Sequence, residues 1–143
     1  VSSSRVLGLD VGHRRIGVAV SDSAGRLAVP VGIVERSKDD PAAIAALVNL
    51  AEEYGVSTVV VGDPIGLTGT PGAASERIAD FREALCLALA SRDIAVHAVD
   101  ERFTTVTATA RLREAGLNAK QIRSRVDASA AVVIVEQWLE AAR

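Results

Sequence analysis

The chain has 143 residues, 49% of them hydrophobic and only 3% aromatic, which suits one domain, 1–143, with an aliphatic core of Val, Ile, Leu and Ala. A net charge of −2 and a pI near 5.7 exclude a general basic field, so any attraction for nucleic acid has to come from a local patch. No run approaches the ~18 apolar residues of a membrane span, the start Val1-Ser2-Ser3-Ser4-Arg5 lacks a signal-peptide apolar region, and the single Cys86 excludes an intramolecular disulfide. The expectation is a cytoplasmic protein with no membrane partner, and with Cys86, between Leu85 and Leu87, in or near the core.

In chain order, 5–10 (RVLGLD) reads as a short buried strand and 16–21 (IGVAVS) as a second, joined by a turn of glycine and basic residues that suits a hairpin. A third extended run, 28–34, completes an antiparallel meander. Asp39-Asp40-Pro41 places acids and a proline where a helix begins, and Ile44, Leu47, Val48, Ala51 and Tyr54 recur at helical spacing up to Gly55. The apolar run 56–62 (VSTVVVG) reads as a parallel strand covered on both faces. Residues 63–72, with glycines and prolines, read as a loop. A helix over 73–91 buries Ile78, Phe81, Leu85 and Leu89, and a strand over 94–99 follows. Thr104 or Thr105 caps a helix to Ala115, closed by Gly116. The polar, basic stretch 117–123 reads as a connection, and a final helix covers 125–142. Strands separated by helices imply right-handed parallel crossovers, giving an α/β fold with a mixed five-stranded sheet, three antiparallel strands then two parallel, flanked by helices.

Acids at the ends of these elements carry the functional argument. Asp100 and Glu101 end the buried fifth strand, where an unpaired carboxylate costs several kcal/mol. Neighbours alternate across a strand, so only one of the two faces a given side. Asp10 ends the first strand, where a turn-forming role is the plain alternative. Asp127 shares a helix face with Ala131, Ile134, Val135 and Trp138 and so lies on an apolar stripe. The competing reading is a cap, with Ser124 as N-cap, Asp127 three residues on, and a favourable helix dipole. Carboxylates converging from two strand ends and a helix repel one another unless cations intervene. Hard divalent ions with oxygen ligands, Mg²⁺ or Mn²⁺, meet that need, and a pair of them supports phosphodiester hydrolysis. One cysteine and the distant His13 and His97 do not make a zinc site.

Phosphate contacts need cations. Between positions 111 and 125 stand Arg111, Arg113, Lys120, Arg123 and Arg125 against Glu114 alone, a patch that adjoins Asp127 and suits a nucleic-acid backbone, or equally a solvated face. Arg14 and Arg15, beside Asp10, are a second candidate. Phe81 and Trp138 read as core and Tyr54 and Phe103 as isolated, so base stacking has no platform.

Four blocks, in order, resemble the YqgF (RuvX-type) family. They are Gly8-Leu9-Asp10-Val11-Gly12 with Ile16-Gly17-Val18-Ala19, Val60-Val61-Gly62-x-Pro64, Asp100-Glu101-Arg102-Phe103-Thr104-Thr105, and Val126-Asp127-Ala128-x-Ala130-Ala131. Sugar kinases and actin-like ATPases share the first block, but they need a second phosphate-binding domain for which this chain has no room. The family is described as Holliday-junction resolvases and pre-16S rRNA nucleases with an RNase H-like fold. The resemblance implies that Asp10, Glu101 and Asp127 form a catalytic, metal-binding triad, with Arg102 and Thr105 in the central motif. It further implies a nucleic-acid partner, either pre-16S rRNA or a four-way DNA junction, bound by a monomer or homodimer. A non-catalytic nucleic-acid-binding or ribosome-assembly role is the alternative of another class. The chain departs from the family after Gly62. The usual Gly-Leu-Pro-x-Asn-x-Asp-Gly is here Gly62-Asp63-Pro64-Ile65-Gly66-Leu67-Thr68-Gly69, and the additional Asp63 is expected near the site as an outer acid.

Overall fold

The computed structural model describes residues 5–12, 14–22, 24–25, 27–36, 40–63, 73–100 and 119–141, and of 73–77, 100 and 119–129 the backbone only. The meander is formed by β1 (Val6–Val11), β2 (Arg15–Ser21) and β3 (Ala28–Glu35). Helix α1 (Asp40–Glu53), strand β4 (Thr58–Asp63), helix α2 (Ala73–Leu89) and strand β5 (Ala95–Asp100) follow, and α3 (Ala119–Ala141) ends the described chain. The sheet order is β3-β2-β1-β4-β5. The first three strands pair antiparallel, whereas β4 joins β1, and β5 joins β4, in parallel. The expected mixed sheet is therefore present, and with it the C-terminal ends of β1, β4 and β5 lie along one edge.

Alternation along the strands divides the core in two. Leu7, Leu9, Val18, Val59 and Val61 join Leu47, Ala51, Ile78, Phe81, Leu85 and Leu89 on the side of α1 and α2. Val6 and Val60 meet Ile134, and Ala19 meets Ala131 and Val135, on the side of α3. The α2 stripe is as the sequence predicts. In α1 the buried stripe runs through Ala43, Leu47, Val48 and Ala51, with Ile44 and Tyr54 half-buried at its margin. Gly55 adopts φ +62°, the left-handed conformation that ends a helix without a Cβ penalty. Ser21 is fully buried and its Oγ accepts the Val6 N–H at 2.8 Å, so this backbone donor stays paired where the regular ladder stops.

Helix α3 comes unusually close to the sheet at Gly8. A Cβ there would overlap Val135 Cγ2 and lie 3.0 Å from the Ala131 carbonyl oxygen. Val6 shares a cluster with Ile134, Trp138 and Leu139, whereas Gly8 meets Val135 and Ala131, the trend of a helix that runs opposite to β1.

Two expectations are corrected. Helix α3 begins at Ala119, not near 125, because Ala-Lys-Gln-Ile-Arg contains no helix breaker and its polarity, read as a connection, is compatible with helix. Cys86 is exposed, as is Leu87 at 74%, since both fall off the stripe through Ile78, Phe81, Leu85 and Leu89. The predicted helix over 104–115 and the loop from 64 to 72 lie outside the described residues.

Close packing at Gly8 yields a direct test. Gly8→Ala is expected to destabilise the protein by about 1–3 kcal/mol through overpacking, measured as a lower midpoint in urea. Adding Val135→Ala, which vacates the space, is expected to recover part of that loss in a double-mutant cycle.

Candidate active site

Asp10 stands one residue before the end of β1 and is half-buried. It belongs with Val6 and Gly8 on the α3 side of the sheet, since Leu7 and Leu9 face the other core. Its cross-strand partner on β2 is Gly17. On β4, Leu9 pairs with Val61, and Gly62 is the next residue. Glycine on either side removes the side chains that would crowd the Asp10 carboxylate, and strand neighbours share a face.

Helix α3 meets β1 at Gly8, two residues before Asp10. Two strand residues from Gly8 to Asp10 span about 6.6 Å, and one helical turn of four residues rises about 6 Å. Residue 127 stands one turn before Ala131, toward the Asp10 end of β1. It is also the ninth residue of α3, and Ser124 is the sixth. The capping box is thereby overturned, because a residue five positions inside a helix cannot be its N-cap. The dipole argument for an acid in the first turn fails for the same reason. Lys120 and Arg123 sit on α3 with Arg125 rather than on a connecting stretch, and the first turn carries no acid.

Asp100 is the last residue of β5 and pairs in register with Asp63. Val99 packs on the α3 side and Val96 on the other. Glu101, Arg102 and Thr105 lie outside the described residues. Arg14 is exposed in the turn between β1 and β2.

Asp63 was expected beside the site. It belongs instead to β4 and shares the face of Val59 and Val61, opposite Asp10. Its carboxylate is 3.9 Å from Arg82 Nη1 of α2. Buried to 9% exposure, it needs such a partner, since an uncompensated buried charge is strongly destabilising. This additional acid is thus met by a cation on the neighbouring helix. The sequence pattern missed this pairing because 18 residues lie between the two in the chain.

Two further features lie away from these acids. A cavity of about 440 Å³ opens between β3 and α1, lined by Val18, Val31, Ile33, Val34, Ala46 and Leu50 among others. It offers no ionisable side chain and lies on the α1 side of the sheet. Trp138 is half-buried and stacks on His97 with ring centroids 4.8 Å apart, a pairing that the reading of Trp138 as plain core did not include.

Among residues whose side chains are described, no three His, Cys, Asp or Glu groups cluster as a metal site, and the side chains of Glu101 and Asp127 are not in that set. The donor chemistry nonetheless fits hard divalent cations, because Asp10 offers only oxygen and its glycine neighbours leave room for the waters that Mg²⁺ retains. No helix among the described residues is long and apolar enough to cross a membrane.

Comparison with known proteins agrees with this architecture. A protein from an Anaeromyxobacter species, whose name gives it provisionally as a pre-16S rRNA nuclease, is 40% identical over 136 residues, covering 95% of this chain and 96% of the relative. A Streptomyces coelicolor protein named in the same way is 45% identical, covering 97% and 81%. Among solved structures, Thermus thermophilus RuvC in complex with a Holliday junction substrate superposes with a TM-score of 0.60 at 15% identity, covering 96% of this chain and 95% of that one. The yeast mitochondrial Holliday junction resolvase Ydc2 gives 0.54 at 13% identity, covering 96% and 78%. At these identities the two structures establish the fold alone, which is that of the RuvC-like, RNase H-like proteins. The family described as RuvX, Holliday junction resolvase, matches residues 4–141, and the chain belongs to it.

Proposed function

We propose that this protein is a metal-dependent nuclease that hydrolyses phosphodiester bonds of structured nucleic acid, acting in maturation of the 5′ end of pre-16S rRNA in the cytoplasm. The observation that supports this reading is the close packing of α3 on β1 at Gly8, two residues before Asp10, with residue 127 one helical turn before Ala131 and well inside the helix rather than at its cap. An acid on an apolar helix face, far from the helix start, needs another partner. Glu101, two residues after Val99, is the third member of the set, in preference to Asp100.

In this reading Asp10, Glu101 and Asp127 hold one or two Mg²⁺ or Mn²⁺ ions. Such ions, when bound, neutralise the charge that builds on the scissile phosphate and lower the pKa of water. Arg14, in the turn after Asp10, and Lys120, Arg123 and Arg125, on the first two turns of α3, grip the phosphate backbone. Arg102 and Thr105 contribute from the segment after Glu101. Three cations near the start of a helix oppose its dipole, and a bound polyanion reverses that penalty. Names of the relatives support the rRNA substrate. The family description supports a four-way DNA junction as the second reading, which would require a homodimer to cut two strands.

Purified protein incubated with precursor rRNA and with four-way junctions, with and without Mn²⁺, tests the proposal. Cation-dependent cutting of the rRNA is expected, with Asp10→Asn and Asp127→Asn each slowing it about 100-fold or more, as for loss of a principal electrostatic stabiliser. Binding without cutting would mark an assembly factor instead. Because Asp63 faces Arg82, Asp63→Ala is expected to leave the Mn²⁺ concentration for half-maximal cutting within about twofold, while lowering stability by only about 1 kcal/mol, since the Arg82 side chain is 31% exposed.

A further inference from the structure

Arg36 follows β3 and is remote in sequence from every candidate acid, yet its side chain reaches the turn that leaves Asp10. Its Nη1 donates to the Gly12 carbonyl at 3.0 Å. Nε and Nη2 donate to the two carboxylate oxygens of Asp40 at 2.9 and 3.3 Å, and the guanidinium lies 5.0 Å from the centroid of the buried Phe81 ring. The backbone N–H of Arg36 donates to the Arg14 carbonyl at 2.7 Å. One residue therefore ties the β1–β2 turn to the first turn of α1 and to the core of α2. The side chain is only 16% exposed, so the fork is held rather than free to swing.

The turn itself has little freedom. The Gly12 N–H donates to the Arg15 carbonyl at 2.8 Å, and a Cβ at Gly12 would lie 2.7 Å from that oxygen. Glycine permits the close approach, but it leaves a backbone that something else has to hold. Arg36 supplies the hold from one side through its side chain and from the other through its amide. Lysine could not do the same, because the contact to Gly12, the bidentate pairing with Asp40 and the stacking on Phe81 use the planar fork at once.

We propose that Arg36 is a positioning residue for the candidate active site, fixing the turn between β1 and β2 and with it the placement of Asp10 and Arg14 relative to α3. The proposal rests on the reading of Asp10 as a cation ligand. A ligand displaced by about 1 Å can cost on the order of 100-fold in rate, which makes the turn a sensitive element.

The test compares Arg36→Lys with Asp40→Asn, a change that weakens one arm of the fork but keeps the Gly12 bond. Cutting of precursor rRNA at saturating Mn²⁺, well below the unfolding temperature of each variant, is read beside amide hydrogen exchange at Gly12. Arg36→Lys is expected to lower kcat by about 10- to 100-fold with KM within about threefold, and to speed Gly12 exchange at least tenfold. Asp40→Asn is expected to stay within about threefold on both readouts. If Arg36→Lys does not fold, Phe81→Leu, which removes the stacking surface, should give the same split in milder form. Wild-type kcat in Arg36→Lys, or a loss that merely follows the unfolded fraction, would overturn the proposal. Cutting by Asp10→Asn at the wild-type rate would instead overturn the ligand reading, and unchanged Gly12 exchange in Arg36→Lys would then refute the hold on the turn by itself.

Discussion

Gly8 is the constraint on which this architecture turns. The absence of a side chain there lets α3 settle onto β1 until the Ala131 backbone and Val135 occupy the space a Cβ would need. Helix and strand are thereby locked in both separation and register, since Val135, Ala131 and Ile134 are fully buried against Gly8, Ala19 and Val60. A larger residue at Gly8 would lift the helix, and every position along it would drift relative to the strand end. Packing inside the molecule and chemistry at its edge are therefore one problem, because the same contact that closes the second core decides how far residue 127 stands from Asp10.

Around that contact the charged groups are arranged by face. Asp10 leaves the sheet on the α3 side between two glycines, whereas Asp63 leaves on the α2 side and meets Arg82. Two carboxylates at one sheet edge are thus separated by the pleat, one beside Arg82 of α2 and the other on the face that α3 covers. The β1–β2 turn is braced from the opposite core through Arg36, whose guanidinium spans from Phe81 to Gly12. Exposed ion pairs such as Arg92–Glu52 contribute little to stability. The Arg36 cluster differs because its guanidinium is mostly buried.

Much of this was legible in the sequence. Period-two and period-3.6 patterns gave the strands and the α2 stripe, and the parallel ending followed from strands separated by helices. The four motif blocks pointed to the family that the comparison confirms. What escaped had physical causes. The start of α3 is hidden because 119–123 is polar and helical at once, and the alternative cap at Ser124 falls with it. Cys86 was misplaced because an apolar neighbour on a helix says nothing about the face one residue away. The Arg82–Asp63 pair and the Arg36–Gly12 bond could not be found by spacing, since their partners are far apart in the chain. The chemistry proposed for Asp10, Glu101 and Asp127 rests on residue type and on the motif blocks, with the packing at Gly8 as its structural support.

A crystal of the full chain soaked in Mn²⁺ and measured at the manganese absorption edge probes the central claim most directly. The account predicts anomalous peaks within about 2–2.5 Å of carboxylate oxygens of Asp10, Glu101 and Asp127, on the α3 side of the sheet. Manganese bound only at other carboxylates, or an Asp127 carboxylate directed away from Asp10 with no ion between them, would contradict it.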